Sequence, residues 1–184
     1  MDISEAVAKR KSTRAYLGTQ VSADDLDKIV EAGRWAPNAG PFHISVIRNA
    51  ELREKINAKT HEAMIDSGVE FLRQRASLPG YEPLYGAPVL IVLSTPADAP
   101  SGAMNVALAA ENMLLQATGL GLASCFLRTP AMALNGTKNG GLAQEAGVPD
   151  GYAVQCALIV GHADAQNRFT LDERARKGEV TYID

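Results

Sequence analysis

Hydrophobic positions recur along this chain with two periods, and the changes of period mark its elements. Residues 3–9 read as a short helix and residues 10–16 as an extended segment. A second helix begins near Ser22, an N-cap residue type, with Asp24 and Asp25 in its first turn and Val21 and Leu26 at staple positions. It runs to about Trp35, because the two prolines and the glycine of Ala36-Pro37-Asn38-Ala39-Gly40-Pro41 cannot continue it. Residues 43–47 alternate as a strand does. Residues 50–76 are helical and charged, with a break near Gly68, and residues 78–83 form a loop rich in turn formers. The continuous apolar run at 87–94 predicts a strand buried on both faces. Residues 101–118 predict a long helix, 122–127 and 152–160 two more apolar strands, and 166–184 a polar tail. The order of elements is mixed α and β around a central sheet.

The 101–118 helix is apolar over most of its circumference. Asn105, Asn112 and Gln116 fall on one narrow stripe and Glu111 lies elsewhere. A helix of this kind is expected between subunits or at the centre of the fold. The alternative is an alanine-rich core helix of a monomer whose polar stripe is wet.

With 184 residues the chain has the size of one domain. Apolar residues at 46% and charged residues at 21% exclude a disordered or fibrous chain. The net charge of −3 argues against a nucleic-acid or other polyanion partner. No apolar run is long enough for a membrane span, and the charged N-terminus does not read as a signal peptide. Cys125 and Cys156 both lie in strand-like text, as reduced core residues of a cytoplasmic protein do.

Against this acidic background Lys9, Arg10, Lys11 and Arg14 crowd together. In an extended segment, period two puts Arg10, Ser12 and Arg14 on one face. Two guanidinium groups flanking a hydroxyl suit a phosphate, whose oxygens accept paired N–H donors. The same run also reads as a solvated helix end, where cations favour the C-terminal dipole. In the 37–41 loop, small residues allow a flat ligand to approach, and Asn38 offers both donor and acceptor; an ordinary connection would look similar. Thr118-Gly119-Leu120-Gly121 follows a helix and precedes a strand, the reverse of the dinucleotide-binding context, so Gly119 or Gly121 reads as a helix C-cap. His43, His61 and His162 share no metal-ligand spacing. No P-loop, nucleophile elbow or paired carboxylate stands out.

In this order, Arg10-Lys11-Ser12-Thr13-Arg14, Trp35-Ala36-Pro37-Asn38-Ala39-Gly40, Gly86-Ala87-Pro88, Gly119-Leu120-Gly121-Leu122 and Val160-Gly161-His162 resemble the motifs of the nitroreductase family of FMN-dependent oxidoreductases. The resemblance covers nearly the whole chain. It implies one nitroreductase-like domain over residues 1–184 of the α+β class, with a central mixed sheet flanked by helices, an intertwined homodimer, and FMN at the subunit interface. Carried over position by position, it implies that Arg10, Lys11 and Ser12 hold the FMN phosphate and ribityl chain, and that Arg14 lies by the pyrimidine edge of the ring. Pro37, Asn38, Ala39 and Gly40 would pack on the flavin from the other subunit. The backbone of Thr129, Pro130, Ala131 and Met132 would approach flavin N5. Arg174 and Arg176 would close on the phosphate, with Arg168 and Lys177 as competitors. The chain departs from the family at one point: Gly40 runs directly into Pro41-Phe42, without the usual Asn-x-Gln. The implied activity is hydride transfer from NADH or NADPH through flavin N5 to a small-molecule acceptor, a nitroaromatic or quinone, by alternating occupancy of one site. No catalytic side chain and no metal are implied. Relatives with other flavin chemistry (flavin cleavage, dehalogenation, heterocycle dehydrogenation) and a non-catalytic phosphate-binding module are the alternatives.

Overall fold

A computed structural model describes residues 1–136, 141–166 and 177–183. Helix α1 (Ile3–Lys9) is capped by Asp2, whose side chain accepts the Glu5 N–H. Ser22 caps α2 (Ala23–Arg34) through the Asp25 N–H, and Val21 and Leu26 are buried, as the staple positions predict. Strand β1 (His43–Ile47) follows. Helices α3 (Ala50–Asp66) and α4 (Glu70–Ala76) are separated at Gly68, whose φ of +72° a side chain would disfavour. Then come β2 (Val89–Pro96), α5 (Gly102–Gly119), β3 (Ala123–Leu127), α6 (Pro130–Leu134), α7 (Leu142–Glu145) and β4 (Tyr152–Gly161).

The sheet order is β1-β2-β4-β3, and every pair of named strands is antiparallel. Its mixed character is confined to one isolated parallel bridge, Ser12 to Ser124, outside the named strands. Helices cover both faces. One core, with Ile29, Ile91, Met113 and Leu158, lies between the sheet and α2 and α5. The other, with Ile56, Leu90, Leu134 and Ile159, lies against α3, α6 and α7. This double cover explains the uninterrupted apolar text of β2, which is buried from Val89 to Thr95.

Helix α5 is central on one side and open on the other. Asn105 and Asn112 are not a wet stripe: Asn105 accepts the Ala39 N–H at 3.3 Å, and the Asn112 amide donates to the Ala32 carbonyl at 3.1 Å. The helix ends as the glycine pattern predicts. Gly121 takes a φ of +77°, its N–H bonds the Thr118 carbonyl, and the Leu122 N–H reaches back to Ala117. Met104 and Leu108 remain exposed. Cys125 and Cys156 are free and buried, one in each core. Among the described residues no helix is long and apolar enough to cross a membrane.

Candidate functional site

The chain leaves α1 at Arg10 and runs along the outer edge of β3. The Thr13 N–H donates to the Ser124 carbonyl at 3.0 Å, and further on Tyr16 bridges Ala163. Thr13 and Ala15 are buried while Ser12, Arg14 and Tyr16 are only half-buried, so the segment alternates from Ser12 onward; Arg10, the C-cap of α1, and Lys11 are both half-buried and show no alternation. Arg10 turns toward α5, its Nε 3.8 Å from Glu111, with only 12% of its side chain exposed. An Arg14 N–H lies 3.4 Å from the Ser12 carbonyl.

Cys125 is the common neighbour of this group. Burial pushes its thiol pKa up. Arg14, a hydrogen bond from Ser12, and then Arg10 and Arg75 act in the opposite direction. The buried thiol thus has Ser12 and these cations as neighbours. Burial likewise pushes Cys156 up to about 12. Beside Ser12, the buried Ser124 hydroxyl has no hydrogen-bond partner among the described residues.

Arg14 also lines an open cleft whose far wall sequence reasoning missed. That wall is Arg75 at the end of α4 together with Leu78, Tyr81 and Tyr85 from the following loop. The loop is fixed from below by α3: Arg53 donates to the Ala87 carbonyl at 2.6 Å, and the Leu84 N–H donates to Asn57 at 3.0 Å. Tyr85, at φ +52°, is the one non-glycine residue with positive φ among those described, and Gly86 follows it at +70°. A non-glycine residue in that region costs about 1–2 kcal/mol, here offset in part by an Arg75 N–H donating to the Tyr85 hydroxyl at 2.6 Å. The aromatic pair between two glycines, Gly80-Tyr81 and Tyr85-Gly86, was the signal available in the sequence.

The other expected site residues lie apart from this cleft. Pro37, Asn38 and Ala39 are exposed and Gly40 is half-buried. Their loop is tied to α5 through Ala39 and Asn105, and none of them lines the Arg14 cleft. Thr129 precedes α6, and Pro130, Ala131 and Met132 form its first turn. The Ala131 N–H donates to the Arg128 carbonyl at 3.2 Å and the Met132 N–H to the Thr129 carbonyl at 3.0 Å. Lys11 is half-buried. Arg174, Arg176 and Arg168 lie outside the described residues, and Lys177 is exposed. His61 meets the Ala76 carbonyl at 2.8 Å, a structural contact. Among the described residues no cluster of potential ligands could hold a metal.

The pattern of the Nitroreductase family matches residues 7–162, from the end of α1 to the close of β4. The chain belongs to the nitroreductase family. A crystal structure of a nitroreductase with bound FMN from Bacteroides fragilis NCTC 9343 is 30% identical, with a TM-score of 0.89 over 100% of both chains. A nitroreductase with bound FMN from Desulfitobacterium hafniense DCB-2 shares the fold over 100% of both chains, with a TM-score of 0.86 at 24% identity. A protein of Methanothermobacter thermautotrophicus, provisionally named NADH dehydrogenase/NAD(P)H nitroreductase, is 41% identical over 59 residues; the match spans 30% of this chain and 31% of that protein. The nitroreductase fold thus accounts for the whole described chain, and the basic segment and the Arg14 cleft fall inside the matched region.

Proposed function

We propose that the chain binds FMN and works as an oxidoreductase, taking hydride from NADH or NADPH and delivering it to a small-molecule acceptor such as a nitroaromatic or a quinone. The observation that carries this reading is the gathering of Arg10, Ser12 and Arg14 around Cys125 in a chain of this family. The donor set fits a phosphate with a ring beyond it. It offers two cations, one on either side of a hydroxyl in the chain, and the Ser124 hydroxyl, without a partner among the described residues, alongside. In this reading Arg10, Lys11 and Ser12 hold the phosphate and Arg14 stands at the pyrimidine edge. The backbone of Thr129, Pro130, Ala131 and Met132 would lie near N5, and the 37–40 loop of a second copy would cover the ring. Bound FMN would supply the hydride chemistry. The protein's part would be to bind, orient and exclude water. The exposed apolar side chains Ile3 and Val7 of α1, Trp35, and Met104 and Leu108 of α5 support a homodimer. A cytoplasmic location fits the two free thiols.

The purified protein is expected to take up about one FMN per chain as a dimer, and its visible absorption is expected to bleach anaerobically with NADH or NADPH. A colourless protein that ignores added FMN sinks the reading. Arg14→Ala is expected to weaken flavin binding by about tenfold or more, since a charge-assisted contact is worth about 1.5–3 kcal/mol. The fold should be unaffected, because the Arg14 contact to the Ser12 carbonyl is long. Unchanged affinity in a fluorescence titration removes Arg14 from the site.

A further inference from the structure

The cleft beside the basic segment contains one cation more than the flavin reading uses. Arg14 and Arg75 both line it, and among the described residues neither takes part in an ion pair. The lining carboxylate, Glu82, is exposed. Arg75 is held in place before any ligand arrives. It donates to the Tyr85 hydroxyl at 2.6 Å, and its guanidinium carbon stands 5.4 Å from the centre of the Tyr81 ring. The two tyrosines meet edge to face, with centroids 5.7 Å apart and planes at 87°. A guanidinium fixed on one side keeps further N–H donors for a second, planar acceptor. The surrounding walls suit a flat apolar ring: Tyr81, Tyr85 and the half-exposed Leu78, with open space beside Gly80 and Gly86.

We propose that Arg75 selects aromatic acceptors that bear an anionic substituent, such as a ring carboxylate, over their neutral counterparts. The inference rests on the flavin reading above, which assigns Arg14 to the cofactor and leaves Arg75 to the acceptor. The anion would sit against the Arg75 fork while the ring lies between the tyrosines and Leu78. A specificity role of this kind needs no new chemistry. It changes which molecule is held, not how the hydride moves.

The test compares isosteric pairs on FMN-loaded protein. Dissociation constants for 4-methylbenzoate and 4-methylbenzamide, which are not reduced, are read by saturation-transfer NMR. The kcat/KM values for 4-nitrobenzoate and 4-nitrobenzamide are measured with one nicotinamide donor. Wild type is expected to favour the anion of each pair by about tenfold. In Arg75→Gln that preference should vanish while the amides stay within about twofold, and Arg75→Lys should restore part of it, having the charge without the fork. The wild-type preference needs no variant, so a misfolded substitution does not remove the test. FMN-loaded wild type without a preference overturns the proposal. So does Arg75→Gln losing both ligands equally, or changing only flavin affinity, flavin potential or the NADPH-to-NADH ratio. Wild type that takes up no FMN fails earlier and overturns the functional reading, and the selectivity with it.

Discussion

Asn135→Ala will lower the stability of the fold by about 2–4 kcal/mol, far more than an ordinary surface substitution. The reason lies at the edge of the sheet. Strand β3 stops pairing with β4 at Leu127 opposite Ala157, so the outer edge of β4 is bare nearer its start. Just there β4 carries a bulge: Leu93 faces Cys156 but Ser94 faces Val154. The Asn135 side chain takes the place of the missing strand. Its amide donates to the Val154 carbonyl and its oxygen accepts the Val154 N–H, each at 2.8 Å. Val154 is 3% exposed, so alanine would strand a buried donor and a buried acceptor together. Each net bond is worth about 1 kcal/mol, and an unsatisfied buried group costs about 1–3 kcal/mol. The exposed position of Asn135 lets water replace part of this, hence the range. Asn135→Asp should do no better, since it keeps the acceptor but turns a carboxylate oxygen on the Val154 carbonyl. In urea the midpoint should fall with an unchanged slope. A midpoint that does not move would mean that water serves Val154 as well as asparagine does.

The same asparagine shows where sequence reasoning stops. Elements that depend on nearby residues were legible. Ser22 caps α2, Gly68 divides α3 from α4, and Gly121 closes α5, because each of these is decided within a few positions. The two-sided burial of β2 was legible because no polar residue interrupts it before Ser94. Partners brought in from far along the chain were not legible. Nothing in the text around 135 announces Val154, and nothing around Asn105 and Asn112 announces Ala39 and Ala32. The candidate site divides in the same way. Arg10, Ser12 and Arg14 were visible because they stand in one short run of the chain. Arg75, Tyr81 and Tyr85 were not, because their loop becomes a wall only once α3 pins it through Arg53 and Asn57. The all-antiparallel order of the named strands was equally hidden, since period-two text says that a strand exists and nothing about its neighbour.

The paired change Arg10→Ala with Ser12→Ala should separate the phosphate from the ring in the proposed flavin site. FMN affinity is expected to fall about a hundredfold, while affinity for riboflavin, which has no phosphate, moves within about threefold. One charge-assisted contact at about 1.5–3 kcal/mol and one neutral hydrogen bond at about 1 kcal/mol together reach the roughly 2.7 kcal/mol that a hundredfold requires. The two positions lie close enough to couple, so the pair carries the prediction and the single variants need not add. The fold should tolerate the change. Arg10 meets Glu111 at 3.8 Å and that carboxylate is about half exposed, so water can take over its solvation. Ser12 joins the sheet edge only through the isolated bridge to Ser124, a backbone pairing that alanine can keep. Arg14→Ala supplies the contrast, because a contact to the ring edge should weaken FMN and riboflavin alike. Raising the salt should likewise weaken FMN more than riboflavin in wild type, and that difference should shrink in the paired variant. Equal losses for the two ligands in Arg10→Ala/Ser12→Ala would mean that this face of the segment does not hold the phosphate. The two guanidinium groups would then share a single role at the ring.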